Sequence, residues 1–181
     1  IGVGEPTACQ HQGRFFQLSD VMGVDREMGF SLSTNKYNTC DPHHFILEDI
    51  DSAIDFGEGT TRIYAQGKHY QILAQDGEYS QLVVNEYGKG HSVYFAGLPY
   101  SPQNCRILLR AIYYAAGMPE EMKHYYVTNV DTEVTVFPET KRIAVINNSE
   151  QEQKTDLYIK GKLIDQLTLA PREMRWVSDA Q

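Results

Sequence analysis

The fold class encoded by this chain of 181 residues is α/β followed by all-β. Three observations predict it. Residues 85–117 read in order as a strand, a Gly88-Lys89-Gly90 turn, a second strand, a Ser101-Pro102 helix start, an amphipathic helix and a glycine stop, which is one edge of an α/β domain. Between Thr61 and Ala96 the apolar residues recur every second position, as in antiparallel strands. After Met118-Pro119 helical spacing disappears and five strands follow at regular intervals, so the boundary is set between 1–118 and 119–181.

The elements follow in chain order. Ile1-Gly2-Val3-Gly4 reads as the tail of a buried strand entering a tight turn. With no initiator Met in front of it, this strand predicts a fragment whose other parallel strands lie in preceding polypeptide. Across 14–24, Phe15, Leu18, Val21 and Met22 fall at helical spacing with Gly23 where the helix would stop. Residues 31–56 form a long polar excursion with one short strand at Phe45-Ile46-Leu47. Strands are expected at 62–65, 70–74, 81–86 and 92–96, separated by Gln66-Gly67-Lys68, Asp76-Gly77-Glu78 and Gly88-Lys89-Gly90. Ser101 caps the following helix with Pro102 at its first position, and Ile107, Leu108, Ala111, Ile112 and Ala115 form its buried stripe up to Gly117. The all-β part predicts strands at 133–137, 142–147, 154–159, 163–169 and 173–177, with turns at Pro138-Glu139-Thr140, Asn147-Asn148-Ser149 and Lys160-Gly161.

Composition narrows the function classes. At 41% hydrophobic and 22% charged, the chain holds enough apolar material for an ordinary domain or a partial domain plus a small one. A net charge of −8 without a Lys/Arg cluster opposes nucleic-acid binding, because nothing would displace counterions from a phosphate backbone. No stretch approaches the roughly 20 apolar residues of a membrane span, so no membrane partner is expected. Cys9, Cys40 and Cys105 are an odd set with no close pair, which points to reduced thiols and a cytoplasmic protein. The triplet Asn147-Asn148-Ser149 has the form of a glycosylation sequon, a weak signal in such a chain.

Candidate chemistry is sparse. Gly2-Val3-Gly4-Glu5-Pro6-Thr7 looks like a dinucleotide fingerprint, but Thr7 replaces the third glycine and Pro6 interrupts the helix start that would hold pyrophosphate. A tight strand-to-loop turn is the better reading, with Glu5 as the polar group presented where open α/β sheets place their sites. His11, Gln12 and Arg14 follow in the same loop. A His/Arg pair there suits a phosphate or a sugar hydroxyl, and the plainer alternative has Arg14 paired with Asp20 or Glu5. Asp41, His43, His44, Glu48, Asp49 and Asp51 are metal-ligand types without a metal-binding spacing, so no metal is expected. Cys105 lies inside a helix without a nucleophile elbow and reads as a buried structural thiol. Trp176, Tyr125 and Tyr126 have the chemistry to stack on a sugar, although at strand spacing such residues more often fill a sheet interface.

Through Ile1-Gly-Val-Gly-Glu-Pro-Thr-Ala8, through residues 11–25 and through 85–117, the chain resembles the later part of the 1,3-β-galactosyl-N-acetylhexosamine phosphorylases, also called galacto-N-biose/lacto-N-biose phosphorylases. The resemblance implies the second half of an amidotransferase-like (flavodoxin-type) α/β middle domain with an antiparallel extension, then a small β-sandwich. It implies an inverting phosphorolysis, a glycosyltransferase-class reaction: a carboxylic acid protonates the glycosidic oxygen while phosphate attacks the anomeric carbon from the opposite face. In that family the acid and the phosphate-holding groups lie on a catalytic (β/α) barrel. The implied partners are therefore that barrel in the same parent polypeptide, the disaccharide and phosphate, and a second subunit in a homodimer. No cofactor beyond phosphate as co-substrate is implied, and no catalytic residue is carried onto this chain. Glu5, His11 and Arg14 are the candidate substrate-binding residues. The competing expectation is a stand-alone module that binds a carbohydrate or a protein.

Overall fold

The computed structural model describes residues 1–5, 8–11, 14–27, 39–50 and 53–178, with the side chains of 8–11, 14 and 15 outside the description. Strands far outnumber helices. The chain divides into two units, Ile1–Met118 and Pro119–Gln181.

In the first unit, β1 (Gly2–Val3), the hairpin of β2 (Ala8–His11) and β3 (Arg14–Phe16), the single-turn helix α1 (Ser19–Met22) and β4 (Val24–Arg26) precede the excursion. Then come β5 (Ile63–Ala65), β6 (Tyr70–Asp76), β7 (Tyr79–Tyr87), β8 (Gly90–Phe95) and the helix α2 (Pro102–Ala115). The main sheet has the order β1-β8-β7-β6, with β1 parallel to β8 and the other pairs antiparallel. Both faces are covered. Leu82, Val84, Val93 and Phe95 pack with Ile107 and Ala111 of α2, while Val83, Tyr94 and Ala96 pack with Phe16, Val24, Ile63 and Ala65. Burial on both sides explains why 93–96 is an unbroken apolar run.

The strands at 70–96 and their turns match expectation, with Gly67, Gly77 and Gly88 at positive φ. The helix expected over 14–24 is corrected: Arg14–Phe16 is a strand, and only Ser19–Met22 is helical before Gly23. Long-range bonds decide this. Asp25 Oδ1 accepts from the Phe16 amide at 2.9 Å, and the carbonyl of Val21 accepts from Asn85 Nδ2 at 3.0 Å and Ser92 Oγ at 2.6 Å. At Phe45–Leu47 a 3-10 turn replaces the expected strand, because His44 Nδ1 accepts from the Ile46 amide at 3.2 Å and Ile46 inserts into the core under α2.

Helix α2 begins as expected, with Ser101 Oγ accepting from the Asn104 amide at 3.0 Å. At its end the Gly117 amide bonds the Tyr114 carbonyl and the Met118 amide the Tyr113 carbonyl, the paired closure of a Schellman motif. Its buried face differs from the apolar stripe. Asn104, Ile107, Arg110 and Ala111 are buried, whereas Ile112 is 48% exposed. Arg110 turns inward because Asp49 Oδ2 accepts from its Nη2 at 2.6 Å and its guanidinium lies 5.7 Å from the Phe45 ring centroid. Rotation toward Arg110 also leaves Cys105 exposed, which corrects the expectation of a buried thiol.

The second unit opens with the single-turn helix α3 (Pro119–Met122) and β9 (Tyr125–Val127). It continues through β10 (Thr132–Phe137), β11 (Arg142–Asn147), β12 (Gln153–Ile159), β13 (Lys162–Leu169) and β14 (Met174–Ser178). Two sheets, β10-β11-β14 and β13-β12-β9, share a core of Ile143, Val145, Leu157, Ile159, Leu167, Leu169 and Val127. The five expected strands are present. Strand β9, outside that expectation, holds Tyr125 and Tyr126 against Ile159 and Tyr158. The sequon is structural: Asn147 is fully buried, and its Nδ2 donates to the carbonyls of Gln151, Leu169 and Ala170 at 2.7, 3.2 and 2.9 Å. Its side chain is closed to modification in the folded chain.

Candidate functional site

The carboxyl ends of the parallel strands β1 and β8 are where an open α/β sheet leaves room for a ligand. Gly4 follows β1 at φ 67°, its amide donating to the Phe95 carbonyl at 2.9 Å and its carbonyl accepting from Tyr94 Oη at 2.8 Å. Strand β8 thus holds the Gly4 peptide at both ends. Glu5, the next residue, pairs with Arg26 at the end of β4, and both side chains remain partly exposed. The alternative pairing of Arg14 with Asp20 or Glu5 falls on a side chain outside the described residues. Thr60, whose amide bonds the Ala96 carbonyl at 2.8 Å, also reaches the Tyr94 hydroxyl.

Burial pushes the Tyr94 phenol far above its ordinary range, so it is a neutral hydrogen-bonding group at every physiological pH. Asp25, next to Arg26 in the chain, is buried, and its Oδ1 accepts from the amides of Phe16 and Arg26 at 2.9 and 2.8 Å. The floor is tight. A Cβ on Gly97 would stand 2.2 Å from the Phe56 carbonyl oxygen, so 56–60 runs directly over the end of β8. The arrangement offers a carboxylate and a guanidinium side by side on a rigid support, suited to binding hydroxyls or an anion.

His11 and Arg14 are opposite each other in the β2–β3 hairpin. Their side chains, and Gln12 entirely, lie outside the described residues. Of the three expected substrate contacts, the structure places Glu5 at the strand ends and sets the backbones of the other two together. Arg26 and Tyr94 were missed. Alternation in 92–96 marks Tyr94 as a sheet residue, but no local signal links Arg26 to Glu5.

The acidic and histidine-rich stretch is occupied structurally. His43 Nδ1 meets Asp41 Oδ1 at 2.9 Å, His44 caps the 3-10 turn, and Asp49 holds Arg110, while Asp51 lies outside the described residues. Among the described residues, no group of three or more His, Cys, Asp or Glu side chains is placed to hold a metal ion.

Comparison with known proteins decides the family. Residues 1–121 match the lacto-N-biose phosphorylase central domain, and residues 125–177 match the lacto-N-biose phosphorylase C-terminal domain. The chain belongs to the lacto-N-biose phosphorylase family. It is 51% identical over 158 residues to a 1,3-β-galactosyl-N-acetylhexosamine phosphorylase of Lachnoclostridium phytofermentans, covering 87% of this chain and 22% of the relative. A 1,3-β-galactosyl-N-acetylhexosamine phosphorylase of Bifidobacterium longum subsp. longum is 34% identical over 209 residues, covering 97% of this chain and 28% of the relative. A D-galactosyl-β-1→4-L-rhamnose phosphorylase of Lachnoclostridium phytofermentans is 30% identical over 164 residues, covering 90% of this chain and 22% of the relative. The chain therefore spans about a quarter of the length of these phosphorylases. Within the family, the strand-end site lies in the central domain and the two packed sheets belong to the C-terminal domain.

Proposed function

We propose that this chain is the non-catalytic middle and C-terminal portion of an inverting phosphorylase that reversibly converts β-1,3-galactosyl-N-acetylhexosamines, lacto-N-biose and galacto-N-biose, to α-galactose 1-phosphate and GlcNAc or GalNAc. One observation carries the reading. The central and C-terminal family matches occupy the chain from 1 to 177, while the relatives named for that reaction are far longer. The acid that protonates the glycosidic oxygen and the groups that steer phosphate to the opposite face then belong to the remainder, a catalytic barrel. In this reading residues 1–118 are an amidotransferase-like support, for which the parallel β1–β8 pair followed by α2 is the supporting feature. The relative named for a galactosyl-rhamnose supports an acceptor choice made elsewhere in the enzyme, since it keeps this region at 30% identity. Cytoplasmic location and a homodimer belong to the same proposal.

Glu5, His11 and Arg14 face the active-site side in this reading, with Glu5 held out by the Gly4 peptide and Arg26. The test is direct. The purified chain, given lacto-N-biose and inorganic phosphate, releases no galactose 1-phosphate, and the complete enzyme does; turnover by the chain alone overturns the assignment. In the complete enzyme, Glu5→Ala and Arg14→Ala raise KM or lower kcat without lowering the melting temperature. Unchanged kinetics in both variants removes the proposed role of the loop.

A further inference from the structure

The side chains of β10-β11-β14 divide by alternation between the shared core and the outside. Val134, Ile143, Val145 and Val177 point into the core, so Phe137, Arg142, Ala144 and Trp176 lie on the outer face, with Ile146 and Met174 further along it. Phe137 and Trp176 are 42% and 47% exposed. Their rings meet above the central strand with centroids 5.4 Å apart and planes at 52°, and the Arg142 guanidinium lies 5.6 Å from the Trp176 ring centroid. Two aromatic rings and one guanidinium are thus fixed against each other before any ligand arrives, with Thr135 and Ser178 beside them in register.

We propose that this face is a binding platform for a hexopyranose, with the Trp176 ring as the stacking surface and Arg142 as the donor to the sugar's hydroxyls. A pyranose ring presents an apolar C–H face bordered by hydroxyls, and the platform presents an aromatic face bordered by polar groups. Its size selects a small ligand. Three strands about 4.8 Å apart and about six residues long give roughly 300 Å² of face, well short of the roughly 800 Å² per partner that a stable protein interface buries. By itself this face is too small to hold two copies of the chain together, and a ring of sugar dimensions fits it. The galactosyl substrates named for all four relatives make a hexopyranose the ligand class available to this family. The proposal is independent of phosphorolysis: the complete enzyme can turn over normally with Trp176 replaced, and the binding test below still decides the platform.

Trp176 is the one tryptophan in the sequence, so its emission reads this face alone. The 181-residue chain is titrated with methyl β-galactopyranoside and with N-acetylglucosamine, with sorbitol as an open-chain polyol control. A saturable emission change is expected with at least one pyranoside and none with sorbitol, at millimolar affinity because an open face desolvates one side of the ring. Arg142→Gln weakens that affinity about fivefold or more. Trp176→Phe, an exposed and conservative change, weakens the binding heat in calorimetry while the melting curve is retained. The proposal is overturned if neither pyranoside changes the emission up to about 100 mM, if sorbitol gives the same response, or if Arg142→Gln binds like the unaltered chain. Emission already blue-shifted and insensitive to sugar, the sign of a face sealed by protein, overturns it equally.

Discussion

Phe137 and Trp176 sit on strands that do not pair with each other, yet their rings come within 5.4 Å by leaning across the strand between them. Ala144 of β11, whose register partners are Thr135 on one side and Trp176 on the other, is only 1% exposed although it points outward. The rings roof it. Ala144→Leu therefore pushes them apart, and the expected cost is about 1–3 kcal/mol from overpacking. A lower denaturant midpoint with red-shifted Trp176 emission supports this account; unchanged emission rejects it.

Asn147 ties β11 to the 149–151 turn and to the end of β13. Its Oδ1 accepts from the amide and hydroxyl of Ser149, each at 2.9 Å, and its Nδ2 serves three carbonyls. Asn147→Ala leaves buried polar groups without partners, and a loss on the order of 3 kcal/mol is expected in equilibrium unfolding. Asn147→Asp, which turns the donor into an acceptor facing carbonyls, is expected to fare no better at pH 7.

The His44 imidazole has a pKa below its ordinary 6.5 because burial disfavours the charged ring. Its Nδ1 accepts from the Ile46 amide only without a proton there. Its surroundings are Tyr114 edge-on at 4.7 Å, the His91 ring on Tyr114, and Arg110 at Phe45. The unfolded chain takes up the proton first, so this contribution is complete above about pH 6.5 and is lost as pH falls through the lower folded value. Asp41 and Glu173, held down chiefly by backbone hydrogen bonds from His43 and Ala170, lose theirs only below their ordinary 3.8 and 4.5. His44→Asn keeps a cap without a titrating group. Its melting temperature should fall less between pH 7.5 and 5 than that of the unaltered chain, and equal falls contradict the assignment.

Two glycines should lose stability to alanine by different amounts. At Gly97 the new Cβ meets the Phe56 carbonyl at 2.2 Å and Gly59 Cα at 2.9 Å, both backbone atoms that cannot swing aside. The expected loss is about 3 kcal/mol or more. Gly77 has open space around it and only its φ of 55° to strain, so Gly77→Ala should cost about 1 kcal/mol. Thermal unfolding of the two variants distinguishes crowding from backbone strain; equal losses contradict the close approach of 56–60 to β8.

What the amino-acid order reveals by itself is whatever neighbouring residues decide among themselves. Alternation gave the strands from 70 to 96 and the five strands after Asp131, because a two-sided pleat prints its burial on consecutive residues. Ser101, Pro102 and Gly117 marked the ends of α2 because caps are local hydrogen-bond chemistry. Glu5 could be placed at a strand end for the same reason.

Tertiary structure decided the rest, wherever a distant partner outweighed the local pattern. Asp25 and β2 made a strand of Arg14–Phe16 against its helical spacing, and the core under α2 made a 3-10 turn of Phe45–Leu47. Arg110 reads as a surface charge until Asp49 and Phe45 receive it, which turns Ile112 outward. Arg26 reaches Glu5 from twenty-one residues away, and Asn147 is a sequon on paper but a buried cross-tie in space. Apart from the core packing at Ile46, the deciding energy is a hydrogen bond or a charge pair satisfied across the fold, and such a partner leaves no mark on the adjacent sequence.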